Sequence, residues 1–179
     1  SSLVASPAGW FATGDETGTV RYFKADGTPD GQLATGQPFT DTLRLTADGG
    51  LAIAATEAVV IADAQHHITH TVHTRTQPWI ALVGPDPDSV TTLDHDGFHV
   101  YGLDGTLRRT IAGPPEDTDG PPAIAPDARH AAWMTGGTVT VADLVAGTSR
   151  TIATDGRNEM AISPDGSLFA YIDRSDRVH

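Results

Sequence analysis

A four-residue turn signature recurs five times along this chain at a nearly constant interval. The copies read SPAG, TADG, GPDP, APDA and SPDG, and they begin at Ser6, Thr46, Gly84, Ala125 and Ser163. Successive copies are therefore 40, 38, 41 and 38 residues apart. Proline presets the second position of a tight turn, and aspartate and glycine suit the positions that follow it. An interval of this size indicates that each copy belongs to one supersecondary unit, which buries its apolar face only against its neighbours.

Short apolar stretches with the period of β-strands lie on both sides of each turn. Around the last turn they are Met160–Ile162 and Leu168–Ile172. A second turn that contains glycine follows in most units, as at Asp94–Gly97, and it leads into a third strand such as Phe98–Tyr101. An outer strand such as Thr106–Ile111 completes the unit. Since glycine or proline interrupts nearly every window of a dozen residues, we expect an all-β chain with almost no helix.

The unit at 123–152 gives the clearest family resemblance. Its third strand ends in Val141-Ala142-Asp143-Leu144. The repeated pattern is an SPDG turn, an apolar run, the segment D-x-x-G-T-V-x-V-x-D-L and a final x-G. This pattern resembles WD-repeat β-propellers over essentially all of 1–179. The resemblance implies a β-propeller of four-stranded antiparallel blades, about four and a half of them, with the following approximate bounds: 3–37, 39–76, 78–113, 122–154 and, incomplete, 158–179. Closed propellers hold typically 4–8 blades. We therefore expect a segment of a larger ring, and a five-bladed ring with a minimal last blade is the alternative.

The sequence departs from the WD-repeat pattern in two ways. The Trp-Asp pair that closes the third strand is absent, and the corresponding positions read Phe23-Lys24, Ala62-Asp63, Gly102-Leu103 and Ala142-Asp143. The Gly-His pair before the first strand is missing as well. We therefore expect the side-chain network that buttresses standard blades to be mostly lost, and an allied propeller family is an alternative assignment.

Charge and composition exclude several classes of partner. The chain has 11 Lys and Arg against 23 Asp and Glu, a formal net charge of −12, and no basic stripe that would bind nucleic acid. It has no cysteine, which excludes disulfides and thiolate metal sites. No apolar run approaches the roughly 20 residues that span a bilayer. Because 1–9 show no signal peptide, the expected location is cytoplasmic and no membrane partner is predicted.

The residues that tempt a catalytic or metal assignment are better explained by strands and turns. Four histidines cluster at His66, His67, His70 and His73. Alternate residues of a strand face opposite sides, so one strand cannot direct His70 and His73 at one ion. Asp94-His95-Asp96-Gly97 is too short for a calcium loop and is interpreted as a hairpin turn. Since no G-x-S-x-G motif occurs either, no catalytic, cofactor-binding or metal residue is predicted, and no cofactor.

A partner-contact surface is predicted from one loop and two tryptophans. The longest connection, 113–122, has a proline pair at each end and an acidic middle, and loops on rigid scaffolds often carry function. Trp10 follows its turn directly and Trp79 is placed on a first strand, so both could reach a face of the disc. The predicted contact residues are Pro114, Pro115, Glu116, Asp117, Asp119, Trp10 and Trp79. Trp133 and Tyr171 occupy equivalent repeat positions and are expected to pack between blades.

Two functions of different classes follow from these expectations. The first is a protein-protein interaction or sensing scaffold of WD-repeat type, a regulatory module of a larger multidomain or two-chain protein. Its partner would be another protein, or the remaining blades supplied by the same protein or a second chain. The alternative is a propeller-type enzyme or small-molecule binder, such as a hydrolase, lactonase or quinoprotein-like protein. That class needs polar groups that converge on the channel, whereas the first strands offer mainly apolar residues apart from Arg44 and Glu159.

Overall fold

The computed structural model describes residues 2–38, 40–84, 86, 88–114, 118–153, 155–163 and 165–179. Within these ranges the chain forms eighteen β-strands and no helix. The all-β expectation is thereby confirmed. Among the same residues there is consequently no helix long and apolar enough to cross a membrane.

The strands form five antiparallel sheets that follow one another along the chain. The first sheet contains β1 (Ser2–Ser6), β2 (Trp10–Gly14), β3 (Thr19–Lys24) and β4 (Pro29–Ala34). The second contains β5 (Thr40–Leu45), β6 (Leu51–Ala55), β7 (Ala58–Ala62) and β8 (Ile68–His73). The third contains β9 (Ile80–Val83), β10 (Ser89–Asp94), β11 (Gly97–Gly102) and β12 (Leu107–Ile111). The fourth contains β13 (Ala123–Ile124), β14 (His130–Thr135), β15 (Thr138–Asp143) and β16 (Thr148–Ala153), and the fifth contains β17 (Gly156–Ile162) and β18 (Phe169–Asp173).

Each four-stranded sheet is a simple meander in which neighbours in sequence are neighbours in space. The first strands of consecutive sheets lie side by side, as β1 does with β5, β5 with β9, and β13 with β17. This arrangement of blades around a common axis is that of a β-propeller. Beyond β18, Val178 forms a single antiparallel bridge with Ile172. The sheets of the described residues do not close a ring, so the expected partial propeller of about four and a half blades is confirmed.

Apolar side chains from facing sheets meet in three buried clusters. Between the first and second sheets the cluster contains Ala12, Val20, Tyr22, Leu43, Leu51, Ile53 and Val60. Between the second and third it contains Ala54, Val59, Ile61, Val72, Ala81, Val90 and Tyr101. Between the third and fourth it contains Leu93, Phe98, Val100, Ile111, Ala131, Trp133, Ala142 and Leu144. Each large member contributes about 1.5–3 kcal/mol when fully buried, so the contacts between sheets are the main source of stability.

Aspartates close the turn between the third and fourth strands of every four-stranded sheet. In each case a carboxylate oxygen accepts a hydrogen bond from the backbone N–H two residues on, at 2.9–3.0 Å. The four residues are Asp26, Asp63, Asp104 and Asp143. Hydrogen bonds to these carboxylates favour the charged form. The Thr28 N–H lowers the pKa of Asp26, the His67 N–H lowers the pKa of Asp63, and the Thr106 hydroxyl lowers the pKa of Asp104. Part of the acidic composition therefore stabilises turns.

A second set of aspartates forms hydrogen bonds at positions outside the family's Trp-Asp and Gly-His pairs. Asp15 and Asp94 occupy the turn between the second and third strands of the first and third sheets, which we call the second turn, and Asp173 holds the equivalent position at the end of β18 in the fifth sheet. Each accepts a hydrogen bond from a basic residue that follows it a few positions later in the sequence. These residues are Arg21, His99 and His179 respectively. The family's Trp-Asp and Gly-His pairs remain absent, and the acceptor carboxylate of this network lies in the turn itself.

Candidate interaction face

One face of the propeller carries both the second turns and the connections between sheets. In an antiparallel meander the second and fourth strands run in the same direction and end at the same edge of the sheet. The turn after the second strand and the connection after the fourth strand therefore lie on the same face. Hydrogen bonds join the two kinds of segment: Thr35 Oγ1 donates to the Gly18 carbonyl at 2.8 Å, and Thr40 Oγ1 donates to the Asp15 carbonyl at 2.7 Å. We call this surface the connection face.

Trp79 lies on the connection face with its backbone held on both sides. Its N–H donates to the Leu93 carbonyl at 2.8 Å, and its carbonyl accepts from Thr42 Oγ1 at 2.8 Å. It immediately precedes β9 and is not part of that strand, which refines its predicted position. The side chain is 44% exposed. The fold thus presents a large aromatic group to solvent on a fixed backbone.

Trp10 belongs to a different part of the molecule. It begins β2 at the opposite face, next to a backbone bond from Ala25 N–H to the Gly9 carbonyl at 3.0 Å. Its half-buried ring lies edge-on to Tyr22 at 5.8 Å and to His66 at 6.2 Å. The structure therefore does not bring the two predicted tryptophans together, and Trp10 serves as packing between the first and second sheets.

His66 is the histidine whose role sequence reasoning missed. Its ring stacks on Tyr22 of the first sheet with centroids 3.5 Å apart. Burial lowers the pKa of His66 and raises the pKa of Tyr22 to about 12. The other three members of the histidine cluster are exposed, in line with a solvated outer strand and turn. No sequence signal links His66 to Tyr22, because the two are 44 residues apart and meet only through packing of the sheets.

The long connection between the third and fourth sheets is attached to the second turn of the fourth. Asp119 donates its N–H to the Met134 carbonyl at 2.8 Å and accepts the Gly137 N–H at Oδ2, at 2.9 Å. Pro114 is buried. The predicted contact residues Pro115, Glu116 and Asp117 lie outside the described residues. A partner contact by this loop stays a prediction.

The Asp94–Gly97 segment forms the hairpin turn expected of it, with Asp94 paired to Gly97 across the turn. Oxygen and nitrogen atoms of Asp94, His95 and Asp96 approach within 4.8 Å of one another, a spacing that could hold a metal ion. The buried Asp94 carboxylate already accepts from His99 Nε2 at 3.1 Å, from the Asp96 N–H at 2.8 Å and from Thr76 Oγ1. Its lone pairs serve the sheet, and His95 and Asp96 are left exposed beside it.

A shallow cavity of about 400 Å³ adds basic groups to the connection face. Its lining includes Asp119, Arg157 and Arg174 over a floor of glycine backbone. Arg157 forms an ion pair with Asp176, whereas the guanidinium of Arg174 has no ion-pair partner among the described residues. The connection face therefore combines an exposed indole with side chains of both charges.

Comparisons with known proteins show the fold. No family model matches the chain, and none of the curated proteins does. Hydrazine synthase of Kuenenia stuttgartiensis matches 96% of this chain with a TM-score of 0.68 and 18% identity, over 55% of its own length. The Cps50 (Swd1) β-propeller domain of Myceliophteria thermophila matches 92% with a TM-score of 0.66 and 15% identity, over 59% of its length. The chain is thus a β-propeller that spans somewhat more than half of the structures it resembles.

Proposed function

We propose that this chain is a protein-interaction or sensing scaffold that binds a protein partner through its connection face. The observation that carries the proposal is Trp79, an exposed tryptophan with its backbone hydrogen-bonded to two different sheets. Tryptophan is enriched among the residues that dominate binding energy at protein interfaces. Because the backbone is already fixed, a partner would not have to order this segment, which reduces the cost of binding.

The composition of the connection face supports a protein rather than a nucleic acid as the partner. Charged and polar groups of both signs share the face with it, among them His95, Asp96, Asp119 and Arg174. An apolar centre with a mixed polar rim is typical of protein interfaces. The net charge of −12 opposes binding to a phosphate backbone. As part of the proposal, the chain acts as a regulatory module within a larger multidomain or two-chain protein.

We assign no catalytic role to the chain in this proposal. Arg44 and Glu159 lie on β5 and β17, and neither forms an ion pair among the described residues; β17 also contains Arg157, which pairs with Asp176. The buried carboxylates of Asp94 and Asp173 accept hydrogen bonds within their own sheets. Their bonding accounts for these acids without a substrate.

The proposal is tested by removing the indole and comparing a matched exposed residue on the opposite face. Partners are first identified by cross-linking in an extract of the source organism and then purified for direct titration. Trp79→Ala should weaken binding by about thirtyfold, the equivalent of a 2 kcal/mol interface residue. Val145→Ala, which truncates a side chain of 38% exposure near the third turn of the fourth sheet, should leave the affinity unchanged. Equal affinity of wild type and Trp79→Ala would contradict the proposal.

A further inference from the structure

His66 occupies a turn position that the other four-stranded sheets fill with glycine. It lies in the turn between the third and fourth strands of the second sheet, and its backbone φ is 67°. The corresponding residues of the first, third and fourth sheets are Gly27, Gly105 and Gly147, with φ values of 84°, 84° and 71°. In each turn the N–H of this residue donates to a carbonyl three or four residues earlier, at 2.8–3.0 Å. Histidine is strained in this left-handed conformation and glycine is not, so His66 needs a side-chain contact that offsets the strain.

That contact is a ring stack across the boundary between the first and second sheets. The imidazole of His66 lies on the ring of Tyr22 with centroids 3.5 Å apart and planes inclined by 10°. The half-buried Trp10 meets the same imidazole edge-on at 6.2 Å. Since Tyr22 and Trp10 both belong to the first sheet, the ring of His66 holds the turn of the second sheet against its neighbour.

The stack leaves the Tyr22 hydroxyl in an unfavourable position. Its oxygen is buried and has no hydrogen-bond partner among the described residues. A buried hydroxyl without a partner is destabilising, and solvent would satisfy it if the imidazole moved away. The closed arrangement therefore combines a favourable ring contact with two unfavourable features, the φ of His66 and the hydroxyl of Tyr22. A change in the charge of the imidazole is then enough to shift the balance toward an open arrangement.

The charged groups around His66 do not compensate for its burial. Asp30 of β4 and Asp63 of its own turn attract an imidazolium, whereas a charged His67 repels it. Lys24 lies 3.9 Å from Asp30 and offsets part of the attraction. Burial outweighs these charges and lowers the pKa of His66. The phenol beneath the ring stays neutral, because burial raises the pKa of Tyr22 to about 12.

The direction of the pH effect follows from the lowered pKa. Above the ordinary histidine value of about 6.5 the ring is neutral in both arrangements, and protonation favours neither of them. As the pH falls below that value, a ring in solvent takes up a proton before a stacked ring does. The open arrangement therefore gains stability relative to the closed one until the pH has passed the lowered pKa of the stacked ring.

We propose that His66 is a pH-dependent clasp between the first and second sheets. The neutral ring closes the clasp by stacking on Tyr22. In mild acid the protonated ring leaves the stack for solvent, and Trp10 and Tyr22 become accessible on the face opposite the connection face. The clasp is independent of the proposed partner binding, because Trp79 lies on the connection face.

The test follows the full chain by NMR from about pH 7.5 to about pH 5, the range in which histidine titrates. The nuclear Overhauser contact between the His66 and Tyr22 rings should disappear, and the indole signal of Trp10 should shift with the same midpoint, below about 6.5. The indole signal of Trp133, which is buried between the third and fourth sheets, should not shift. A ring contact that persists after the His66 ring has been protonated would overturn the proposal.

Two variants assign the transition to one imidazole. His66→Gly introduces the residue of the other turns, so it removes the ring and relieves the strain; the Trp10 signal should then be independent of pH and resemble that of the wild type in acid. His70→Gln, which removes an exposed imidazole of β8, is the matched control and should keep the wild-type midpoint. A Trp10 response that survives in His66→Gly or is lost in His70→Gln would contradict the clasp. Loss of amide signals from all sheets at the same midpoint would contradict it too, because protonation would then unfold the chain.

Discussion

The third and fifth sheets contain the same acid–imidazole pair in two different settings. Asp94 accepts from His99 Nε2 at 3.1 Å, and Asp173 accepts from His179 Nε2 at 2.8 Å. Both carboxylates are buried, with side-chain exposures of 1% and 2%, whereas the imidazoles are 10% and 44% exposed. The carboxylate is therefore buried in the turn of both sheets, whereas the imidazole is buried only where another strand covers it.

That additional element is the fourth strand. In the third sheet the other ring nitrogen of His99 hydrogen-bonds Thr110 Oγ1 of β12 at 3.2 Å. Since an ionised carboxylate only accepts, Nε2 carries the hydrogen toward Asp94, which leaves Nδ1 of a neutral ring to accept from Thr110. In the fifth sheet His179 instead stacks on Tyr171 with centroids 5.0 Å apart. In the third sheet the outer strand thus contacts the imidazole, while in both sheets the carboxylate is buried in the turn.

The largest expected effect comes from removing the acid of the third sheet. Asp94→Ala leaves the donors of His99, Thr76 and the Asp96 N–H without their acceptor in a buried setting, at a cost of about 4 kcal/mol. Asp173→Ala should cost clearly less, because His179 is exposed enough for water to replace the carboxylate. Urea denaturation of both variants measures the difference. Equal losses would show that the fourth strand adds nothing to the buttress.

A smaller difference is expected for two isoleucines of outer strands, Ile111 of β12 and Ile152 of β16. Ile111→Ala removes a buried side chain and should cost about 3 kcal/mol. Ile152→Ala removes a partly exposed one and should cost about 1 kcal/mol or less. The free energy of unfolding from urea titrations measures both. A loss for Ile152→Ala as large as that for Ile111→Ala would mean that the exposed side of Ile152 is covered in solution.

The sequence predicts the strands and turns of the sheets far better than it predicts the hydrogen bonds and ring contacts that join distant segments. Turn spacing depends on local chemistry, so the period of about 40 residues locates the hairpins without knowledge of packing. The acceptor role of Asp94 toward Thr76 depends instead on a connection 18 residues away, as does that of Asp119 toward Gly137. The stack of His66 on Tyr22 joins two sheets in the same way. These contacts are fixed by how blades pack, and a single sequence contains no local signal for them.

Of the three effects, acid sensitivity of the fifth sheet is expected to be the smallest. Hydrogen bonds from Ser163 and Ser167 lower the pKa of Asp165 to about 2, and the bond from His179 lowers the pKa of Asp173. Lowered values favour the charged form in the folded chain, so this stabilisation is complete above the unfolded pKa of about 3.9. It is lost as the pH falls through the folded values. The Asp165 carboxylate is exposed, so solvent screens its interactions.

The contribution of these two carboxylates to the urea midpoint should be flat from pH 7 to about 5 and fall progressively below pH 4. It is separate from that of His66, whose lowered pKa gives a loss of stability as the pH falls below its unfolded value of about 6.5. Asp165→Asn should reduce the slope of that fall, because the amide does not titrate, and its effect at pH 7 should exceed its effect at pH 3. Hydrogen exchange read at single amides would place the loss in the fifth sheet, at β17 and β18, before the third sheet opens. Simultaneous loss of protection in both sheets would show that the uncovered fifth sheet is as firmly held as the covered third one, and the difference in imidazole exposure would then have no energetic consequence.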